Sequence, residues 1–360
     1  MIDPNIKDKV VTVAIAAANR SRRVDLSKFW TDLSKIDLEK ISCFLATSPD
    51  KYSYGAIPLV ERPDSAITCT SEPIETIGVD GSQVYPSSQD PVRWSYIQAL
   101  AYAKSSPPYF LSDFRDIGSS NFESMRSDVS FDGVNGSESV DFWRTLLELR
   151  VAVQIAGANS DRVILMDYPL LPWINAGNAD YRTRVQEYIG LIEALKGTLV
   201  AGVVSAPKSR LLLNLIALSH KTQGEDSQLA DITDDILICY GLKPGERSAV
   251  FTYAGPRNEV CKARGVEIGF FFIRIKDYDV ARVEIPSWLM NNPTMIDKIH
   301  ASILNDSLAL GYPYVLAAAH QMITVSLDIA ESLHRLATAT FVRAGGFYTI
   351  SAKMRAKGIK

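Results

Sequence analysis

Between Ser137 and Leu213 the sequence changes period repeatedly, and that switching narrows the fold more than any other feature. Phe142, Leu146, Leu149, Val153 and Ala156 recur at helical spacing within Ser137–Ala158, which predicts a helix with one buried face. Ser139 is the expected cap, with Asp141 in the first turn. The run Asp161-Arg-Val-Ile-Leu-Met-Asp167 follows, short and apolar, ending on a carboxylate and broken by Pro169. That is the pattern of a buried strand. A helix over Tyr181–Lys196, an apolar strand over Thr198–Val204 and a helix from about Lys208 continue the alternation. Such an order implies an α/β sheet with helices packed on its faces.

The flanking regions fit around that core. Residues from about Lys7 to Phe44 read as helical and form an N-terminal arm, a natural dimer or partner element. Within it, Arg20-Ser-Arg-Arg23 reads first as a solvated charged face and second as a phosphate or partner contact. The sheet is expected to begin near Ile67, with strands over Ile77–Asp80, Val92–Ala103 and Tyr109–Asp113. Gly118–Ser137 is rich in Gly, Ser, Asn and Asp, as a surface loop or a substrate-facing flap would be. Further on, Ile232–Tyr240 reads as helix, Gly241–Arg247 as turn, and Val266–Ile275 with Asp279–Ile285 as a hairpin. Helices over Thr294–Leu308 and Tyr312–Phe341 and a basic tail close the chain. There is no internal repeat and no linker, so the expected organisation is an arm (1–60), one α/β domain (61–345) and a tail (346–360).

Composition excludes several classes. The chain is 47% hydrophobic and 22% charged, with a net charge of −3, so any nucleic acid must bind in a local basic groove. Cys43, Cys69, Cys239 and Cys261 are widely spaced, as reduced thiols are, and offer no zinc motif. Val10–Ala18 is too short to span a bilayer, so no membrane association is expected and a cytoplasmic location is. No G-x-x-x-x-G-K-[ST] occurs, so the chain is not its own P-loop motor.

Carboxylates at strand ends carry the chemistry. In Glu75–Pro86 (ETIGVDGSQVYP) the β-branched Ile77 and Val79 deliver Asp80 into a Gly-Ser pair. An acid inside an apolar strand is costly unless something cationic meets it, although Asp-Gly also marks ordinary turns. Asp167 ends the second strand. Neighbouring strands would bring the two carboxylates together, which is unfavourable without a divalent cation. Oxygen ligands suit Mg²⁺ or Mn²⁺, and two such ions about 4 Å apart support phosphodiester hydrolysis. Glu148 would complete the cluster, while Arg144, one turn earlier, can simply pair with it.

The order of blocks resembles the NurA nuclease family. They are GVDGSQ (Gly78–Gln83), R-x-x-x-E (Arg144–Glu148), VILMD (Val163–Asp167), SAPKSR (Ser205–Arg210) and LKPGERSAVF (Leu242–Phe251). FFIRI (Phe271–Ile275), ARVEIPSW (Ala281–Trp288) and GYPYVLAAAH (Gly311–His320) follow. The resemblance implies an RNase H-like mixed central sheet flanked by helices, with the N-terminal arm and a long C-terminal helix. It also implies Mn²⁺- or Mg²⁺-dependent hydrolysis of single- and double-stranded DNA, endonucleolytic and 5′-to-3′ exonucleolytic, with two ions. The implied setting is a homodimer beside a HerA-type hexameric ATPase, in end resection or antiviral defence. Asp80, Glu148 and Asp167 would be the metal-binding acids, and His320 a further active-site residue, as ligand or proton donor.

Other positions carry two readings. His320 borders the apolar face of Leu316, Ile323 and Leu327, where a core histidine is the ordinary alternative. Lys208 can contact a phosphate or stay solvated, and Tyr168 can stack on a base or pack beside its strand. The family follows its second Asp with Gly and a small residue, whereas this chain has Tyr168-Pro169-Leu170, so a different local phosphate approach is expected here. Two other functions compete. An actin-like or sugar-kinase ATPase would use IGVDGSQV as a phosphate loop, but a second Asp-x-Gly loop is missing. A silent DNA-binding scaffold would have no reason to keep like charges together.

Overall fold

The computed structural model describes residues 6, 9–15, 24–47, 55–87, 90–116, 134–157, 161–172, 181–222 and 232–347. The charged run at Arg20–Arg23, most of the Gly/Ser/Asn-rich stretch before Val134 and the basic tail lie outside the described residues. The chain forms two compact units. The larger comprises Met1–Thr76 and Asp161–Tyr314, and the smaller Ile77–Ser160 and Val315–Lys360.

The larger unit is built on a mixed sheet. Strands β1 (Gly55–Pro58), β6 (Val163–Met166), β7 (Leu199–Ser205), β9 (Phe251–Ala254), β10 (Ile268–Arg274) and β11 (Val280–Pro286) lie in the order β1-β9-β10-β11-β7-β6. The β6–β7 pair is parallel, and the other pairs are antiparallel. The short strands β2 (Ile67–Thr68) and β8 (Glu246–Arg247) pair with each other, and β8 also pairs with β10. Phe270, Phe271 and Phe272 on β10 are fully buried. Consecutive burial means both faces of that strand are covered, which is why its sequence is continuously apolar rather than alternating. Each such side chain contributes about 1.5–3 kcal/mol.

Helices α1 (Leu26–Ser34), α2 (Leu38–Thr47), α4 (Tyr181–Ala194), α5 (Leu211–Thr222), α6 (Asp234–Gly241), α7 (Pro256–Lys262), α8 (Ser287–Met290) and α9 (Pro293–Ser307) complete this unit. The arm breaks where its own side chains favour a break. Asp25 accepts from the Lys28 amide at 3.1 Å to cap α1, and Asp37 accepts from Lys40 N at 3.1 Å beside α2. Trp30 of α1 lies over Gly241, where an added Cβ would come within 2.2 Å of the indole ring. Asp32 meets Nε2 of His220 at 3.2 Å. The α1 segment thus packs on α5 and α6.

The smaller unit holds an antiparallel meander, β3 (Thr76–Val84, entering the unit at Ile77), β4 (Trp94–Ala103) and β5 (Ser106–Asp116). With it are α3 (Val134–Ala156), α10 (Tyr314–Ile323, all but its first residue) and α11 (Leu327–Arg343).

Several boundaries differ from expectation, each for a local reason. Helix α3 starts before Ser137, so Ser139 lies within it and is not its cap. Helix α5 starts at Leu211 because the Asp234 carboxylate accepts from the amides of Leu211, Leu212 and Leu213 at 2.6, 3.1 and 3.4 Å. The expected continuous helix over Tyr312–Phe341 breaks at 324–326, where Ser326 caps α11 by accepting from Ile329 N at 3.3 Å. Strands β1 and β9 and helix α7, opened by Gly255-Pro256, have no counterpart in the sequence reading.

Candidate active site

The GVDGSQ segment of β3 divides its residues between two helices. Successive residues of a strand point to opposite faces. Gly78, Asp80 and Ser82 face α10. A Cβ at Gly78 would meet the Val315 carbonyl oxygen at 2.4 Å, so only glycine admits the start of α10 so close to the strand. Asp80 pairs in register with Leu100 of β4, and Leu100 packs with Ala319 and Ile323. The far end of α10 is pinned as well. Val325 N donates to Ser82 Oγ at 3.0 Å, and Gln98 Nε2 donates to the Ile323 carbonyl at 2.5 Å.

Between those two anchors stands His320. Its Nδ1 lies 2.8 Å from Asp80 Oδ2, while Gly81 N donates to Asp80 Oδ1 at 2.8 Å. The Asp80 side chain is 7% exposed and that of His320 63%. His320 is therefore no core histidine: its apolar neighbours Leu316 and Ile323 are buried, and the ring stands outward on the carboxylate.

Gly81 and Gln83 face α3. A Cβ at Gly81 would fall 2.3 Å from Glu148 Oε1 and 2.9 Å from Arg144 Cγ, so the missing side chain is the space into which Glu148 fits. Glu148 is fully buried, and Arg144 Nη1 donates to its Oε1 at 2.5 Å. One turn earlier, Asp141 Oδ1 accepts from the Tyr85 hydroxyl at 2.5 Å, and Gln83 Nε2 donates to that hydroxyl at 2.8 Å. Partial burial and the Asp141 carboxylate push the Tyr85 phenol above its ordinary pKa.

The remaining predicted residues belong to the larger unit. Asp167 directly follows β6 and accepts a hydrogen bond from the Tyr312 hydroxyl. Tyr168 is half-buried, with its carbonyl toward β7: a Cβ at Gly202 would lie 2.5 Å from that oxygen. Lys208 is 69% exposed and pairs with Asp235 at 2.6 Å. Tyr312 sits inside the GYPY block, yet sequence reasoning did not single it out. Ser82 and Gln98 were missed because their value lies in partners far away along the chain, and Asp141, expected in the first turn of its helix, lies two turns inside α3 and meets Tyr85 instead.

A family model described as the NurA domain matches residues 74–325. The chain belongs to the NurA family. It is therefore a member of a family of nucleases, a class of hydrolases. The crystal structure of the NurA nuclease from Sulfolobus solfataricus is similar over 95% of this chain and 98% of that one, with a TM-score of 0.56 at 15% identity. That likeness establishes a shared fold, and the expected mixed α/β architecture with a helix-flanked sheet and a long C-terminal helix holds. No curated protein matches the chain significantly. Among the described residues, no helix of this NurA protein is long and apolar enough to cross a membrane.

The residues fit a hard divalent cation. Asp80 and His320 offer ligand atoms close enough to share one. Buried carboxylates are retained where a cation or fixed donors meet them, and carboxylate oxygens suit Mn²⁺ and Mg²⁺.

Proposed function

We propose that this NurA protein is a Mn²⁺- or Mg²⁺-dependent deoxyribonuclease that hydrolyses phosphodiester bonds in single- and double-stranded DNA, both 5′-to-3′ from ends and internally. The observation that carries the proposal is the buried Asp80 bonded to the exposed ring of His320. Asp80, Glu148 and Asp167 are the proposed ligands of two ions. The support for Glu148 is its fit over Gly81. For Asp167 it is the motif order of the family and the Tyr312 hydroxyl that holds the carboxylate.

A bound divalent cation supplies an activated water and offsets charge on the leaving oxygen. The chain's own groups do the rest. Asp80 fixes the orientation of the imidazole through Nδ1, which leaves Nε2 directed to substrate and able to deliver a proton to the departing oxygen. Arg144 balances the Glu148 charge and is proposed as a phosphate contact. Lys208 and Tyr168 are proposed as outer contacts to phosphate and base. The protein would act as a homodimer with a HerA-type hexameric ATPase, in the cytoplasm, in end resection or antiviral defence.

Purified protein is expected to cut single-stranded DNA with Mn²⁺ and to stop with EDTA. Asp80→Asn and Asp167→Asn should each abolish cutting with the fold intact by circular dichroism. Clean wild-type protein that leaves DNA whole under Mn²⁺ and Mg²⁺, alone and with the ATPase, would sink the nuclease reading.

A further inference from the structure

We infer that Glu284 is a positioning residue for Asp167, acting through the Leu171 amide. The inference rests on Asp167 being a metal ligand as proposed above. After β6 the chain runs Asp167-Tyr168-Pro169-Leu170-Leu171. Proline has no amide hydrogen, so this segment has fewer donors with which to fix itself. It is held instead from below. Gly202 of β7 and Glu284 of β11 are direct cross-strand partners. The glycine leaves a gap in which the Tyr168 carbonyl and Leu170 sit, since a Cβ there would fall 2.5 Å from that oxygen and 3.0 Å from Leu170. Its partner supplies the acceptor: Leu171 N donates to Glu284 Oε2 at 2.9 Å. Tyr188 completes the hold by donating to the Leu170 carbonyl at 2.7 Å.

Glu284 is fully buried. Its Oε1 accepts from Arg282 Nε at 3.1 Å and from the Tyr253 hydroxyl, and Arg282 Nη2 stands 3.0 Å away. An apolar pair of similar volume is often as stable as a buried ion pair. What an apolar pair cannot supply is the acceptor for Leu171. Because Asp167 stands between the rigid β6 and this anchored segment, its carboxylate is restrained from both sides. Groups behind a metal ligand typically change metal affinity by about 10- to 100-fold.

Two double variants, both made in a Y253F background that removes the other buried donor on Glu284, isolate that one bond. R282M/E284Q removes both charges and keeps an acceptor oxygen, whereas R282M/E284L removes the charges and the acceptor together. Mn²⁺ affinity is measured by titration against the free-ion electron paramagnetic resonance signal. Amide exchange at Leu171 and thermal melting are recorded on the same proteins, with D167N as control. The R282M/E284L protein should melt near R282M/E284Q, exchange Leu171 faster and bind Mn²⁺ about 10-fold more weakly. Equal Mn²⁺ affinity in the two doubles, with D167N impaired, overturns the inference alone. D167N binding Mn²⁺ like wild type overturns the ligand assignment and the inference with it. If R282M/E284L does not fold, G202A presses on the same segment with Glu284 intact, and unchanged Mn²⁺ affinity there is equally fatal.

Discussion

Both units bury carboxylates, but they surround them differently. In the larger unit, Asp234 is fully buried and accepts from Ser209 Oγ at 2.8 Å and from three successive amides at the start of α5. Burial pushes its pKa up, and those hydrogen bonds pull against the rise. In the smaller unit, Asp80 is nearly as buried, yet divides its oxygens between the Gly81 amide and the exposed ring of His320. Residue type and burial are alike. The difference is whether the donors are fixed parts of the fold or an exposed side chain at the surface. A closed shell makes a carboxylate structural, and a shell completed by an exposed imidazole leaves it available for chemistry.

The largest effect should come from exchanging damage between the two. Asp234→Ala orphans the helix-start amides and should cost about 3 kcal/mol of stability, the sum of a lost cap and unsatisfied buried donors. Asp80→Asn should shift stability by less than about 1 kcal/mol while removing Mn²⁺-dependent cleavage. Urea melts and a DNA cleavage assay on both proteins test the contrast. An Asp80→Asn protein destabilised as much as Asp234→Ala would erase it.

A smaller effect is expected one atom further out. His320→Gln removes the proposed proton donor but little packing, because the side chain is mostly exposed. Turnover should fall by about 10²- to 10⁴-fold, with DNA affinity and melting temperature near wild type. A loss carried mainly by weaker DNA binding would make His320 a substrate contact instead.

Much of this was legible in the sequence, and the parts that were not share a cause. The helix over Phe142–Ala156, the strand Val163–Met166 and the hairpin around Lys276–Tyr278 follow from local periodicity, and the structure has them. Asp80 stood out because an acid in an apolar strand is anomalous by itself. The two glycines around it read as a turn, whereas each one makes room for a different helix, Gly78 for α10 and Gly81 for Glu148 on α3. Ser82 and Gln98 act on the end of α10, more than 200 residues away in the chain. No local pattern carries that partnership. β9 was hidden for another reason: its fully buried Phe251–Ala254 run is too short and unalternating to separate from its flanks.

Two of the four histidines, His300 and His320, sharpen the comparison further. His320 is exposed with a carboxylate partner, while His300 on α9 is fully buried. Burial first, and the positive charge of Arg247 second, lower the His300 pKa to about 4, against a small opposing pull from Asp297. The folded state therefore holds this ring neutral where the unfolded chain protonates it. Between the unfolded value near 6.5 and the folded one, the unfolded state binds the extra proton, so stability falls as pH drops through that window. Its full contribution is present above about pH 6.5. Wild-type protein should lose about 2 kcal/mol between pH 7 and pH 5 through this one residue. His300→Leu should flatten that part of the slope, read from urea melts at the two pH values. An unchanged slope would mean that the ring has a proton-accepting partner in the fold, and that the larger unit does not close its ionisable groups as completely as Asp234 suggests.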